Sequence, residues 1–210
     1  MKKLYVSNKD ESARMFKSNF LEIFTKVHWS IPLFMFVPLI SYLLYLSWQA
    51  PALGVGSILL WVIGGLLVWT ITEYVLHRFV FHYQPPGDLG EKIHFIFHGV
   101  HHDYPNDSMR LVMPPAVSIP LAYLFYILFK YLLADVTLYP FFAGFLIGYL
   151  CYDMLHYAIH HAPMKGKLWM ALKTHHLKHH FKDPDNGYGV SSPIWDIIVG
   201  TQFSSSKEEK

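Results

Sequence analysis

Cysteine is nearly missing from this chain: Cys151 stands alone, inside an apolar run. A disulfide framework and a zinc–thiolate site are therefore both excluded, and any metal must be held by nitrogen and oxygen. Charge is scarce too, at 15% of residues against 53% apolar, a balance that points to a membrane rather than to a soluble domain. A net charge of +2 offers no attraction for a polyanion, so no nucleic-acid partner is expected. A cleavable signal peptide is not expected either, because Lys2-Lys3 leads into polar residues. The last scarcity is one of place. Of seventeen Lys and Arg, only Lys130 lies outside residues 1–28, 77–115 and 156–210.

The stretches without charge are long enough to matter. Residues 31–48 and a run from 53 to 76, uncharged as far as residue 72, are separated by Gln49-Ala50-Pro51-Ala52 and read as a helical hairpin. Residues 116–133 and 138–155 form a second pair joined by Ala134-Asp135-Val136-Thr137. About 20 apolar residues span a hydrocarbon core, so four transmembrane helices are expected. Gly54, Gly56, Gly64 and Gly65 would let helices approach closely. Four spans put residues 1–28, 77–115 and 156–202 on one side, and the basic residues gather there, which marks that side as cytoplasmic. Lys130 can snorkel toward the far interface. In residues 1–28, Phe16, Phe20, Ile23, Phe24 and Val27 fall on one helical face, predicting an amphipathic segment at the headgroups. Residues 84–92 read as a loop, 92–103 as a short helix, and 203–210 as a disordered tail. The whole is read as one domain over residues 1–210.

What the chain has in excess is histidine. Thirteen of its fourteen lie between 77 and 180, in four clusters: His77 and His82; His94, His98, His101 and His102; His156, His160 and His161; and His175, His176, His179 and His180. The topology carries all four to the same membrane face. Imidazoles three or four residues apart share a helix face, so His98 can converge with His101 and His102, His156 with His160, and His176 with His179 and His180. His77 and His82 are five apart and misaligned on a regular helix; they converge only if the helix ends or turns between them. Ten imidazoles exceed the needs of one ion, so two are expected. His94, His161 and His175 each neighbour a better-placed ligand and are expected beside the metals or facing substrate. Glu73 and Asp153 precede His77 and His156 by four and three residues, a spacing suited to orienting an imidazole N–H.

Two redox-active irons would activate dioxygen beside an alkyl chain, an oxidising power that side chains lack. Zinc would activate water, but catalytic zinc usually takes fewer protein ligands. A non-enzymatic metal-binding or transport protein is the alternative from another class; against it, both apolar pairs are free of internal histidine, where transport sites usually lie.

Leu76 to His82, His94 to His102, His156 to His161 and His175 to His180 resemble the membrane fatty acid hydroxylase superfamily, which includes sterol desaturases and carotenoid hydroxylases. Three further stretches resemble the fatty acid 2-hydroxylases within it: Leu21 to Trp29, Asp107 to Pro115, and Gly187 to Ser192 with Trp195-Asp196 and Gly200-Thr201. The resemblance covers about residues 20–202. It implies an all-α integral membrane protein, with about four transmembrane helices capped by a cytosolic helical domain that holds a histidine-ligated dimetal centre. The implied ligands are His77, His82, His98, His101, His102, His156, His160, His176, His179 and His180. Two iron ions are implied, with zinc able to occupy the site in purified protein, together with O2 and an external electron donor. The implied reaction is 2-hydroxylation of fatty acyl chains of lipids such as sphingolipids; a sterol or carotenoid hydroxylase or desaturase is the alternative. Many eukaryotic members carry a fused cytochrome b5, for which the amino-terminal segment has no room. A separate cytochrome- or ferredoxin-type partner is expected, and with it a bacterial inner membrane, or the endoplasmic reticulum if the source is eukaryotic. Asp107, Arg110, Asn186 and Tyr188 are taken as candidates for shaping the substrate mouth, with bracing of a loop as the competing role for each.

Overall fold

The uncharged runs are helices in the computed structural model, which describes residues 4–204. They are α2 (Ile31–Gln49), α3 (Val55–Leu76), α6 (Pro115–Leu132) and α7 (Asp135–His161), preceded by a short α1 (Asn19–Ile23). Each of the four is long and apolar enough to cross a membrane. Their starts follow from sequence: Pro32 and Pro115 sit in first turns, where proline costs no hydrogen bond. No strand occurs among the described residues. The remaining helices lie in the polar parts of the chain: α4 (Gly87–His94), α5 (Val100–Asp103), α8 (Lys167–Phe181) and α9 (Ile194–Val199).

Helix α7 is the axis of the membrane part. In its most apolar stretch 72% of residues are buried, against 11% in α3 and α6, whose outer faces are left for lipid. Phe141, Phe142, Phe145, Leu146 and Tyr149 of α7 pack with Phe36, Trp69 and Phe129 from the three neighbouring spans. Glycine sets how closely α3 and α7 approach. A Cβ on Gly65 would lie 1.9 Å from the Phe141 carbonyl oxygen, and one on Gly144 would lie 1.9 Å from that of Val62. Among the four glycines expected to permit close packing, only Gly65 is pressed this way; Gly54 and Gly56 face open space, and Gly64 meets Phe141 at ordinary contact distance.

Three boundaries differ from expectation, each for a local reason. Helix α7 begins at Asp135 and continues through His161, so His156 and His160 extend the span itself; it stops where Pro163 forces Ala162 into an extended backbone. Residues 77–81 and 95–99 form π-helical turns, the first continuing α3 and the second joining α4 to α5. Among the described residues of the amino-terminal segment, 4–28, only Asn19–Ile23 is helical. The rest is a strap bound to the 103–110 segment: Val6 and Ser7 donate to the Asp103 carbonyl, Ser108 N–H to Asp10, and Ser12 to Asp107. Beyond α1 the amphipathic stretch keeps only short turns, such as Phe24 N–H to the Leu21 carbonyl and Thr25 N–H to that of Glu22. Of the tail expected at 203–210, residues 205–210 lie outside the described residues.

Candidate metal centre

The first π-turn resolves the awkward spacing of His77 and His82. Its defining bond runs from His82 N–H to the His77 carbonyl at 3.1 Å, five residues back, and brings the two rings to 5.0 Å between centroids. An α-helix would have splayed them; the wider turn puts both on one edge, and such turns recur at functional sites. The second π-turn follows His94 and carries His98.

The ten histidines form two groups of five. His77, His82, His98, His102 and His179 make one, and His101, His156, His160, His176 and His180 the other, with the ligand nitrogens of each group within 4.8 Å of one another. Helix α3 and its π-turn feed only the first group and α7 only the second. The segment 98–102 and helix α8 each feed both, so residues expected to converge are divided: His98 and His102 go one way and His101 the other, while His176 and His180 part from His179. The groups touch through the stacked rings of His102 and His180, 4.3 Å apart.

The nitrogens have a set direction. His77 Nδ1 donates to the Tyr188 carbonyl at 2.5 Å, His156 Nδ1 to that of Leu111 at 3.1 Å, and His179 Nδ1 to that of Asn186 at 2.8 Å. Each bond fixes a tautomer and leaves an Nε2 lone pair for the group interior. Within the groups, Nε2 of His101, His102 and His156 and both nitrogens of His160 are buried without a hydrogen-bond partner among the described residues. Buried polar atoms are rarely left so, and a cation at the centre of each group would satisfy them. Burial, with repulsion from neighbouring imidazoles, holds His98, His101, His102, His176 and His180 well below the usual histidine pKa. The same causes push His82 down to about 2. Burial takes His179 to about 4 even though the Asn186 carbonyl pulls it upward. The rings are thus neutral at physiological pH, the form that ligates metal. The residues present fit a pair of metal ions.

The other candidates take different places. His175 lies outside both groups, 3.1 Å from Asp196, and packs on Phe203. His161 stacks on Tyr157, and His94 sits at the rim, 6.4 Å from the His82 ring. Glu73 does not touch His77; its carboxylate accepts the N–H groups of Val190 and Ser191 at 2.8 Å and the Ser191 hydroxyl. Asp153 likewise meets the Met113 N–H, at 3.3 and 3.4 Å, rather than His156. Asp107 braces a loop, accepting from Ser12, Met109 and Arg110. Arg110 is tied to Glu22 at 2.6 Å and to the Ala13 carbonyl while lining an apolar cavity. The backbone carbonyls of Asn186 and Tyr188 receive His179 and His77, while the Asn186 side chain donates to Asp183 and the Tyr188 ring packs against His77, His82 and His179. Leu111, and the loop held by Asp196, which accepts from Tyr188 N–H, Gly189 N–H and Thr201, lie in stretches that resemble the 2-hydroxylases, yet their positioning role has no sequence signal. A carbonyl has no side-chain signature to read.

Two cavities reach the histidines. One, of about 320 Å³, is walled by Phe16, Phe24, Phe97, Val112 and Met113 and meets His98, His101 and His156. Its size and apolar wall suit a hydrocarbon ligand. The other, of about 360 Å³, is polar, lined by Arg78, Gln84, Asp185 and Tyr188, and meets His82, His102 and His180.

Comparison with known proteins agrees with this layout. Residues 62–201 match the model of the fatty acid hydroxylase family. A dihydroceramide fatty acyl 2-hydroxylase of Arabidopsis thaliana is 39% identical over 91% of this chain and 80% of its own length. The fatty acid 2-hydroxylase of Rattus norvegicus is 37% identical over 94% of this chain, which spans 58% of that protein. A solved structure of full-length Scs7p, with only the hydroxylase domain visible, superposes with a TM-score of 0.81 at 38% identity, covering 88% of this chain and 70% of that one. With ten histidines gathered at the end of a four-span helical bundle and a match over two thirds of its length, the chain belongs to the fatty acid hydroxylase family.

Proposed function

We propose that the protein is a membrane-bound, O2-dependent hydroxylase that places a hydroxyl on C2 of fatty acyl chains of lipids such as sphingolipids. The observation that carries this reading is the opening of both five-histidine groups onto one apolar cavity. Its relatives' names, dihydroceramide fatty acyl 2-hydroxylase and fatty acid 2-hydroxylase, supply the position on the chain. The cofactor is a pair of iron ions, one held by each histidine group, with zinc able to take the same ligands. When bound, the metals supply the power to activate dioxygen against an unactivated C–H bond.

The protein's own residues bind, orient and exclude. The apolar wall of Phe16, Phe24, Phe97 and Val112 takes an acyl tail and keeps water from it. A tail seated there presents its head-group end to His98, His101 and His156, where C2 is the carbon next to the carbonyl. The carbonyls of Tyr188, Leu111 and Asn186 hold three imidazoles in one tautomer, so the site does not rearrange between turnovers. In the net reaction one C2–H becomes C2–OH and the second oxygen atom leaves as water. Two electrons come from an external cytochrome- or ferredoxin-type donor and two protons from solvent, for which the polar cavity is the matching approach. The basic bias of residues 1–28, 77–115 and 156–210 supports a cytoplasmic histidine face.

Lipid mass spectrometry of cells with and without the protein, with a competent electron donor present, tests the reading. C2-hydroxylated acyl chains are expected only in the first. An unchanged profile, or a hydroxyl confined to the isoprenoid fraction, refutes it.

A further inference from the structure

Two buried carboxylates on the span helices occupy corresponding places. Glu73 lies one helical turn before His77 on α3, and Asp153 lies three residues before His156 on α7. Neither meets its histidine. Glu73 grips the N–H groups of Val190 and Ser191, and Val190 is two residues beyond Tyr188, whose carbonyl receives His77 Nδ1. Asp153 meets the N–H of Met113, two residues beyond Leu111, whose carbonyl receives His156 Nδ1. In both halves a span helix supplies a histidine and, one turn earlier, an acceptor for the separate segment that aims that histidine. Both carboxylates are buried, at 4% and 1% exposure, and so are Tyr188, Val190, Leu111 and Val112.

We infer that Glu73 and Asp153 are positioning residues, each clamping a backbone segment whose carbonyl fixes one histidine, with Glu73 serving the group of His77 and Asp153 the group of His156. The inference rests on the reading that each group holds a metal ion. A carbonyl can orient an imidazole only if its own segment is fixed, and residues 188–191 and 111–113 form no helix of their own. Asp196 holds the 188–191 segment at Tyr188 and Gly189 N–H, so without Glu73 that segment is fixed at one end only, and without Asp153 the 111–113 segment loses its bond to α7; the looser the carbonyl, the freer the ring is to turn its lone pair from the group centre. The partner that hydrogen-bonds a ligating histidine, here the carbonyl, typically changes metal affinity by about 10- to 100-fold, and a clamp whose loss frees that carbonyl costs up to the same. What each clamp needs is an acceptor oxygen; the negative charge is secondary.

The test uses the full-length protein in detergent, with metal content by mass spectrometry, chelator competition, and the visible spectrum of the cobalt(II)-substituted form. Wild type should hold two ions. Glu73→Met and Asp153→Leu, which keep bulk and remove the acceptor, should each loosen one ion by about 10- to 100-fold and perturb one of two cobalt environments. Glu73→Gln and Asp153→Asn, which keep an oxygen, should restore tight binding of both. Ser191→Ala, which removes one of three bonds to Glu73, should give a smaller loss at the same ion and covers the case in which Glu73→Met fails to fold. Two ions held as tightly in the apolar variants as in wild type overturn the clamp while leaving the proposed function standing. Equal loss of both ions in each variant overturns the assignment of one carboxylate to each group. A wild type that binds no metal overturns both.

Discussion

His94 and His102 lie on one helical stretch, and only the second has its nitrogen within a five-membered group. His102→Ala should reduce bound metal from two ions to about one and lower hydroxylation at least about 10-fold, since losing a ligand costs no less than losing a partner behind it. His94→Ala should keep both ions. Metal analysis beside a lipid product assay separates the two. The depressed histidines also set how the metal-free protein responds to acid. His82 and His179, pushed down to about 2 and about 4, take up no proton in the folded state as pH falls below the ordinary value near 6.5, whereas the unfolded chain does. Their contribution to stability is therefore present above about pH 6.5 and is lost as pH falls toward those folded values, at up to about 1.4 kcal/mol per pH unit for each. Chelator-treated protein melted at pH 7.5 and at pH 5.5 should show the lower midpoint at 5.5.

At the scale of the element, the glycines between α3 and α7 make the sharpest prediction. Gly144→Leu would drive a side chain into the Val62 carbonyl and separate the helices, with a destabilisation of about 3 kcal/mol or more, visible as a lower melting midpoint in detergent. Gly54→Ala, facing open space, should stay within about 0.5 kcal/mol of wild type. The four spans were legible because length and apolarity alone decide them. Four-residue spacing placed His98 with His102, His156 with His160 and His176 with His180, but three-residue spacing misled: His101 and His179 fall in the opposite group from the neighbours they were expected to join. The π-turns were not legible: His77 and His82 announce a need to converge, but nothing in HRFVF says that a widened turn meets it. Nor was the strap, since the Phe16, Phe20 and Phe24 spacing fits a helix equally well, and its bonds to residues 103–110 depend on partners about 100 positions away. Glu73 and Asp153 were found by spacing, but their partners were mistaken, because amide groups look alike at every position.

On the scale of the molecule, the histidine groups lie between an apolar cavity and a polar one. The chain length accepted should depend on the apolar wall. Val112→Trp, at a position only 2% exposed and lining that cavity, should shift hydroxylated product toward shorter acyl chains and lower turnover of the longest about tenfold, read by competition among saturated acyl substrates. The histidine groups also tie together the ends of a long contour. His77 is the first of the ten grouped histidines to be synthesised and His180 the last, about 100 residues later, which at roughly 5–20 residues per second is an interval of about 5–20 s. For that time α2 and α3 are made while neither five-membered set is complete. Neither histidine group can therefore be complete until all four spans have been synthesised, and a nascent chain released early carries only part of each group into the bilayer.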